Sequence, residues 1–79
     1  METLRIDRAS PGDMLISKRD NEFWQVWLML SSERGNFQAY VLYSHERSYI
    51  TAGTIQRVYK DSFRMNQVHG TNEWFVQRG

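Results

Sequence analysis

The segment Phe23-Trp24-Gln25-Val26-Trp27-Leu28-Met29-Leu30 limits the possible folds of this chain more than any other segment. A strand with one solvated face alternates apolar and polar residues, whereas this segment is interrupted only by Gln25. If it is extended, its two faces present two separate apolar sets: Trp24, Val26, Leu28 and Leu30 on one, Phe23, Trp27 and Met29 on the other. The pattern predicts a strand that is buried on both faces or that keeps one aromatic face for a partner.

The length of 79 residues predicts a single small domain spanning 1–79. Aromatic residues make up 14% of the chain, and each can bury roughly 150–250 Å², so a core is possible without crosslinks. The absence of cysteine excludes disulfides, thiolate nucleophiles and cysteine zinc sites, and it fits a reducing cytoplasm. The charged N-terminus resembles no signal peptide, and no apolar run approaches the ~20 residues of a membrane span. We therefore expect a soluble, cytoplasmic domain.

The charge balance argues against a dedicated duplex-DNA binder, which usually carries a basic excess or a dense basic stripe. The chain contains ten Lys and Arg residues and nine Asp and Glu residues, and the basic residues are dispersed along it. Arginine dominates the basic set, and its planar guanidinium suits recognition of carboxylates, phosphates or bases.

Turn-forming residues divide the chain into short strands. Ser10-Pro11-Gly12-Asp13 is the clearest turn, because Pro presets φ and Gly supplies a permissive position. Further polar turns are predicted at 18–21, 32–36, 45–48 and 69–72. The segments between them predict strands at 4–6, 14–17, 22–31, 37–43, 49–51 and 73–77.

Residues 54–66 fit two interpretations. Apolar and small residues at 55, 58, 59, 62 and 63 follow the spacing of one helix face, with Thr54 as an acceptable N-cap. The β-branched and aromatic content and the neighbouring hairpins favour a strand, and this context tilts the expectation toward a strand.

The segment Pro11-Gly12-Asp13-Met14-Leu15-Ile16 resembles the opening of SH3-like barrels, in which such a turn feeds the first core strand. A tryptophan-bearing strand, a hairpin and a closing strand follow in these domains, and residues 23–30, 37–43 and 50–59 occupy those places. The resemblance covers roughly residues 11–60. It implies a mainly β fold, a small antiparallel SH3-like barrel of five to six strands with room for one short helix in 54–66; an α+β fold is the alternative. Ligands differ widely within this class, so the resemblance transfers no functional residue.

The sequence offers little for catalysis. Ser44-His45-Glu46 contains the residue types of a hydrolase triad, but neighbouring side chains on an extended chain point to opposite faces. A metal site would need His45, His69, Glu46 and Asp61 to meet from distant turns without a recognised spacing. The glycines do not cluster into a phosphate-binding loop. We expect no catalytic residue, no metal, no cofactor and no enzymatic activity.

Aromatic residues with arginine neighbours are the stronger indication of function. If the interior takes Trp24, Val26, Leu28, Val41 and Trp74, other rings lie outside. The predicted partner-binding set is Phe23, Trp27, Tyr40, Phe75, Arg34 and Arg57. Tryptophan, tyrosine and arginine are enriched at protein–protein hot spots, which favours a small adaptor or inhibitor that docks on a protein. The small single-domain size is typical of accessory proteins of phages.

Two alternatives use the same residues. The aromatic side chains could stack on the bases of single-stranded nucleic acid while arginines meet its phosphates. Alternatively, Phe23, Trp27 and Met29 could be buried across the two-fold axis of a homodimer.

Overall fold

The computed structural model describes all 79 residues and shows a mainly β fold with one helix. Six antiparallel strands form one sheet in the order β1-β6-β2-β3-β4-β5. The strands are β1 (Glu2–Thr3), β2 (Met14–Arg19), β3 (Glu22–Ser32), β4 (Asn36–Ser44), β5 (Ile55–Tyr59) and β6 (Glu73–Gln77). Helix α1 spans Lys60–His69, and a 3₁₀ turn spans Ile6–Arg8. The predicted fold class, mainly β with one short helix, is confirmed.

Local turn chemistry accounts for the turns before and after β2. Asp20 and Asn21 both have positive φ, the conformation that a two-residue turn between twisted strands requires. At the earlier turn, Gly12 has a φ of +95°, and the Ser10 N–H donates to the Asp13 carboxylate at 2.9 Å. The predicted turn at residues 10–13 is confirmed.

Three bulges interrupt the pairing of the long central strands. Trp24 is the extra residue between the pairs Ser17–Gln25 and Lys18–Phe23. Leu30 and Leu42 are the extra residues at the two irregularities between β3 and β4. A bulge bends its strand and changes which residues face each side. These strands therefore do not keep one uninterrupted alternation of faces.

One hydrophobic core fills the inner face of the sheet. Its aromatic centre is Trp27, which packs edge-on to Trp74 at 5.1 Å between ring centroids and at 6.4 Å from Phe63. Edge-to-face pairs of this kind add about 0.5–1.5 kcal/mol each beyond their area burial. Other core members come from every strand except β1 and β5: Leu15, Met29, Phe37, Ala39, Val41 and Val76.

The N-terminal segment and helix α1 cover this core. Leu4, Ile6 and Ala9 turn inward from the 3₁₀ region, and Phe63 turns inward from α1. The predicted strand at 4–6 is wrong. Only Glu2–Thr3 pair with β6, and the apolar side chains of the following segment pack against the core instead.

Residues 54–66 contain both of the predicted structures. The strand β5 ends at Tyr59, and α1 begins at Lys60. The Lys60 N–H donates to the Gly35 carbonyl at 3.0 Å, and the buried Lys60 ammonium donates to Ser32 Oγ at 2.9 Å. These contacts tie the start of the helix to the β3–β4 turn. The predicted strand at 49–51 is wrong; Ser44 Oγ bonds the Ile50 carbonyl and holds this segment in an irregular loop.

A buried carboxylate fastens the C-terminus to the first turn. Asp13 accepts hydrogen bonds from the Ser10 N–H, the Gly79 N–H and Arg78 Nη1. These donors, the Ser10 amide foremost, hold the pKa of Asp13 below its ordinary value although burial opposes them. No helix in the structure is long and apolar enough to cross a membrane.

Candidate functional site

The outer face of the sheet, the side away from α1, carries a continuous apolar surface. Cross-strand partners share a face, so the pairing defines its rows. One row runs Phe75–Ile16–Val26–Tyr43 across β6, β2, β3 and β4. The next row runs Met14–Leu28–Tyr40–Ile55 across β2, β3, β4 and β5. We call these two rows, with the adjoining pair Lys18–Phe23, the outer apolar face.

Several large side chains of the outer apolar face are open to solvent. Phe23 is 51% exposed, Ile55 60% and Tyr40 37%. Ile16, by contrast, is buried among its row neighbours although it lies on the outer side. Scattered exposed apolar residues are normal, whereas this patch is continuous across five strands, which makes it the candidate interaction surface.

Two cations, Lys18 and Arg57, and one carboxylate, Glu73, lie on or beside the outer apolar face, with Glu73 opposite Lys18 on β6. The Lys18 ammonium lies 4.9 Å from the Phe23 ring centroid and 5.9 Å from that of Phe75. Arg57 lies beside this face on β5, opposite Gln38. Neither cation forms an ion pair, since the pairs in the structure involve other side chains. An approaching carboxylate would therefore meet two cations that are not held in ion pairs, one of which, Lys18, has Glu73 as its cross-strand neighbour.

The structure brings together four of the six residues predicted to bind a partner. Phe23, Tyr40, Phe75 and Arg57 lie on one side of the sheet. Arg34 is exposed but lies in the β3–β4 turn, at the opposite end of β3 from Phe23.

Trp27 is the clear correction to that set. It is only 4% exposed and is part of the core, so it forms no outer surface. Met29, predicted with it for a two-fold interface, is also buried within the monomer. Val26 and Leu28, predicted to lie inside, are on the outer apolar face instead. The faces differ from the prediction because Gln25 faces inward, where its amide donates to Ser48 Oγ at 2.6 Å, and its neighbour Val26 therefore faces outward.

Sequence reasoning missed Tyr43 and Ile55 as members of this surface. Tyr43 shares a side with Tyr40 despite their odd spacing, because the bulge at Leu42 lies between them. Ile55 lies in residues 54–66, where the sequence fits both a helix and a strand, and its pairing with Tyr40 fixes its orientation.

The residues weighed for catalysis have other partners. Ser44 Oγ donates to the Ile50 carbonyl, and His45 Nδ1 accepts from the Arg47 N–H at 3.1 Å. The His45 ring stacks on Trp24 with 4.5 Å between centroids. No group of three His, Asp or Glu side chains is arranged to hold a metal ion.

No protein-family model matches this chain, and comparison with curated proteins and with solved structures finds no match. The resemblance to SH3-like barrels stays a prediction, and functional proposals depend on the geometry alone.

Proposed function

We propose that this protein is a non-catalytic binding module, a small adaptor or inhibitor, that docks on a protein partner through the outer apolar face. The observation that supports the proposal is the contiguity of this face across five strands, with Phe23, Tyr40 and Ile55 exposed. Specific interfaces bury about 800 Å² per partner and concentrate their energy in aromatic and arginine anchors.

The charges favour a partner that is apolar at its centre and acidic at its rim. Lys18 and Arg57 form no ion pair within the protein, although Glu73 lies opposite Lys18 on β6. A second copy of this chain would present the same two cations and one carboxylate, Glu73, whereas a different protein can present a carboxylate to each cation. Complementary charges of this kind increase the association rate and select among partners.

The test is affinity capture from the native host's lysate, with and without nuclease, followed by binding of the recovered protein in purified form. The double variant Phe23→Ala/Ile55→Thr should weaken that binding by about 2 kcal/mol or more, a factor of roughly 30, if these are anchors. The matched control is Met65→Gln, which removes a similarly exposed apolar side chain from helix α1.

Three outcomes contradict the proposal. A captured protein whose affinity is the same for the double variant and the wild type would place the interface elsewhere. Loss of all capture after nuclease treatment would favour single-stranded nucleic acid as the partner. A stable dimer at tens of micromolar, converted to monomer by the double variant, would identify the face as a contact between copies.

A further inference from the structure

A cleft of about 600 Å³ lies on the inner side of the molecule, opposite the outer apolar face. The inner surface of the sheet, helix α1 and the loop after β4 enclose it. Its volume falls within the range of small-molecule sites, about 300–1,000 Å³. Trp27, Phe63 and Trp74 line it from the core, and Tyr49, fully exposed to solvent, stands at its edge.

Arg19 is the most specific feature of this cleft. Its Nε donates to Asn72 Oδ1 at 2.7 Å, and its guanidinium carbon lies 4.1 Å from the centroid of Trp24. No carboxylate lies within ion-pair distance of it. Stacking and one hydrogen bond thus fix the plane of the guanidinium and leave its terminal nitrogens available. A planar, prepositioned guanidinium of this kind suits bidentate binding of an anion.

The remaining charge of the cleft has the same sign. Arg47 also lines it, with its guanidinium carbon 5.8 Å from the Trp24 ring, and its Nη2 lies 3.6 Å from Glu22. No Asp or Glu side chain lines the cleft. Asp20 and Glu22 lie just outside the cleft beside Arg19 and Arg47, and Glu22 pairs with Arg47. Arg19 is therefore the cation of the cleft that no carboxylate holds in an ion pair.

The polar side chains around the cleft suit a planar heteroaromatic group. Asn66, Ser62 and Thr71 line it, and their side chains form no hydrogen bond within the protein. Asparagine amides both donate and accept, which is how such side chains read the edges of bases. An indole at the base of the cleft offers a stacking or edge contact to the same ring.

Trp74 and Arg19 lie at nearby positions on two paired strands, β6 and β2. Trp74 is the β6 partner of Ser17, and Arg19 is two residues further along β2. Two residues of a strand span about 6.5–7 Å. Trp74 and Arg19 are therefore near neighbours on the inner face of the sheet.

We propose that this cleft binds a nucleotide, with its phosphate on Arg19 and its base against Trp74 beside Asn66. This site lies apart from the outer apolar face, so it is a second binding activity and does not depend on the protein partner proposed above. Free mononucleotides and a nucleotide within a single strand share this chemistry, and the experiment separates them.

The test is a titration of isotope-labelled protein with each 5′-nucleoside monophosphate, followed by the N–H signals of the three indoles and of Arg19 Nε. We expect saturable shifts of Trp24, Trp74 and Arg19 with a dissociation constant below about 1 mM. Arg19→Gln should weaken binding at least about tenfold, because it removes a charge-assisted contact. Arg5→Gln, an exposed arginine outside the cleft, should leave binding unchanged. Asn66→Ala provides a second variant on an exposed helix position.

A 5′-phosphorylated tetranucleotide is the second probe. Binding of this strand more than about tenfold tighter than any mononucleotide would assign the site to a nucleotide within a strand, and equal affinity would assign it to free nucleotides. The proposal is overturned if neither probe shifts these signals at about 5 mM. It is also overturned if nucleosides without phosphate bind equally well, or if indole-3-acetate binds more tightly than every nucleotide.

Discussion

The two faces of the sheet contain similar side chains but differ in what covers them. On the inner face, Trp27 and Phe37 are enclosed by helix α1 and the 3₁₀ segment. On the outer face, Phe23 and Ile55 have comparable apolar character and no covering element. The same strands therefore serve a core on one side and a solvent-facing surface on the other.

This difference separates stability from binding. Side chains on the inner face contribute by excluding water from the core, so their loss should unfold the domain. The exposed side chains of the outer face, such as Phe23 and Ile55, are already in water, and their loss should leave the fold intact while changing what the surface contacts.

Trp27→Ala tests the inner face. Truncation of a buried tryptophan removes its transfer free energy and leaves a cavity, which costs about 3–5 kcal/mol. A 79-residue domain has only modest stability to lose, so we expect a largely unfolded chain at 37 °C. Urea unfolding followed by circular dichroism measures the change. If the free energy of unfolding of the variant stayed within about 1 kcal/mol of the wild-type value, Trp27 would not be a core residue.

Local sequence patterns were sufficient for the fold class and for several turns. The Asp20-Asn21 turn and the turn at residues 10–13 depend on residues that are adjacent in the chain, so propensity identifies them. The apolar length of β3 likewise predicted a central strand. These features require no knowledge of what packs against them.

The assignment of faces required knowledge of the pairing. Gln25 faces inward because Ser48, 23 residues away, accepts a hydrogen bond from its side-chain amide. Trp24 lies in a bulge because of the register between β3 and β2. The cleft is harder still to predict, since Arg19 and Asn72 are 53 residues apart and meet only where β2 and β6 pair. Long-range pairing of this kind leaves no local signal in the sequence.

Acid should destabilise the fold where Asp13 holds the C-terminus against the turn at residues 10–13. The pKa of this carboxyl is lowered in the folded state, chiefly by the Ser10 amide, so its contribution is fully present above the ordinary value near 3.8. The contribution is lost as the pH falls through the lower folded-state value. Asp13→Asn should cost about 1–3 kcal/mol near neutral pH and should respond less to acid than the wild type.

Unfolding measured at pH 7, 4 and 3 checks this prediction. The control is Asp20→Asn, an exposed turn residue, which should keep the wild-type acid response. An identical pH dependence for Asp13→Asn and the wild type would show that Asp13 does not fasten the C-terminus.

Strand β5 allows the two faces to be compared within five residues. Val58 packs against the core, whereas Ile55 is exposed beside Tyr40. Threonine keeps the β-branched shape at both positions, so the two substitutions differ mainly in where the hydroxyl is placed. Val58→Thr should cost about 1–2 kcal/mol because it puts a hydroxyl against the core, and Ile55→Thr should stay within about 0.5 kcal/mol. Thermal unfolding of the two variants measures the difference, and equal costs would mean that the outer face stabilises the fold as much as the core does.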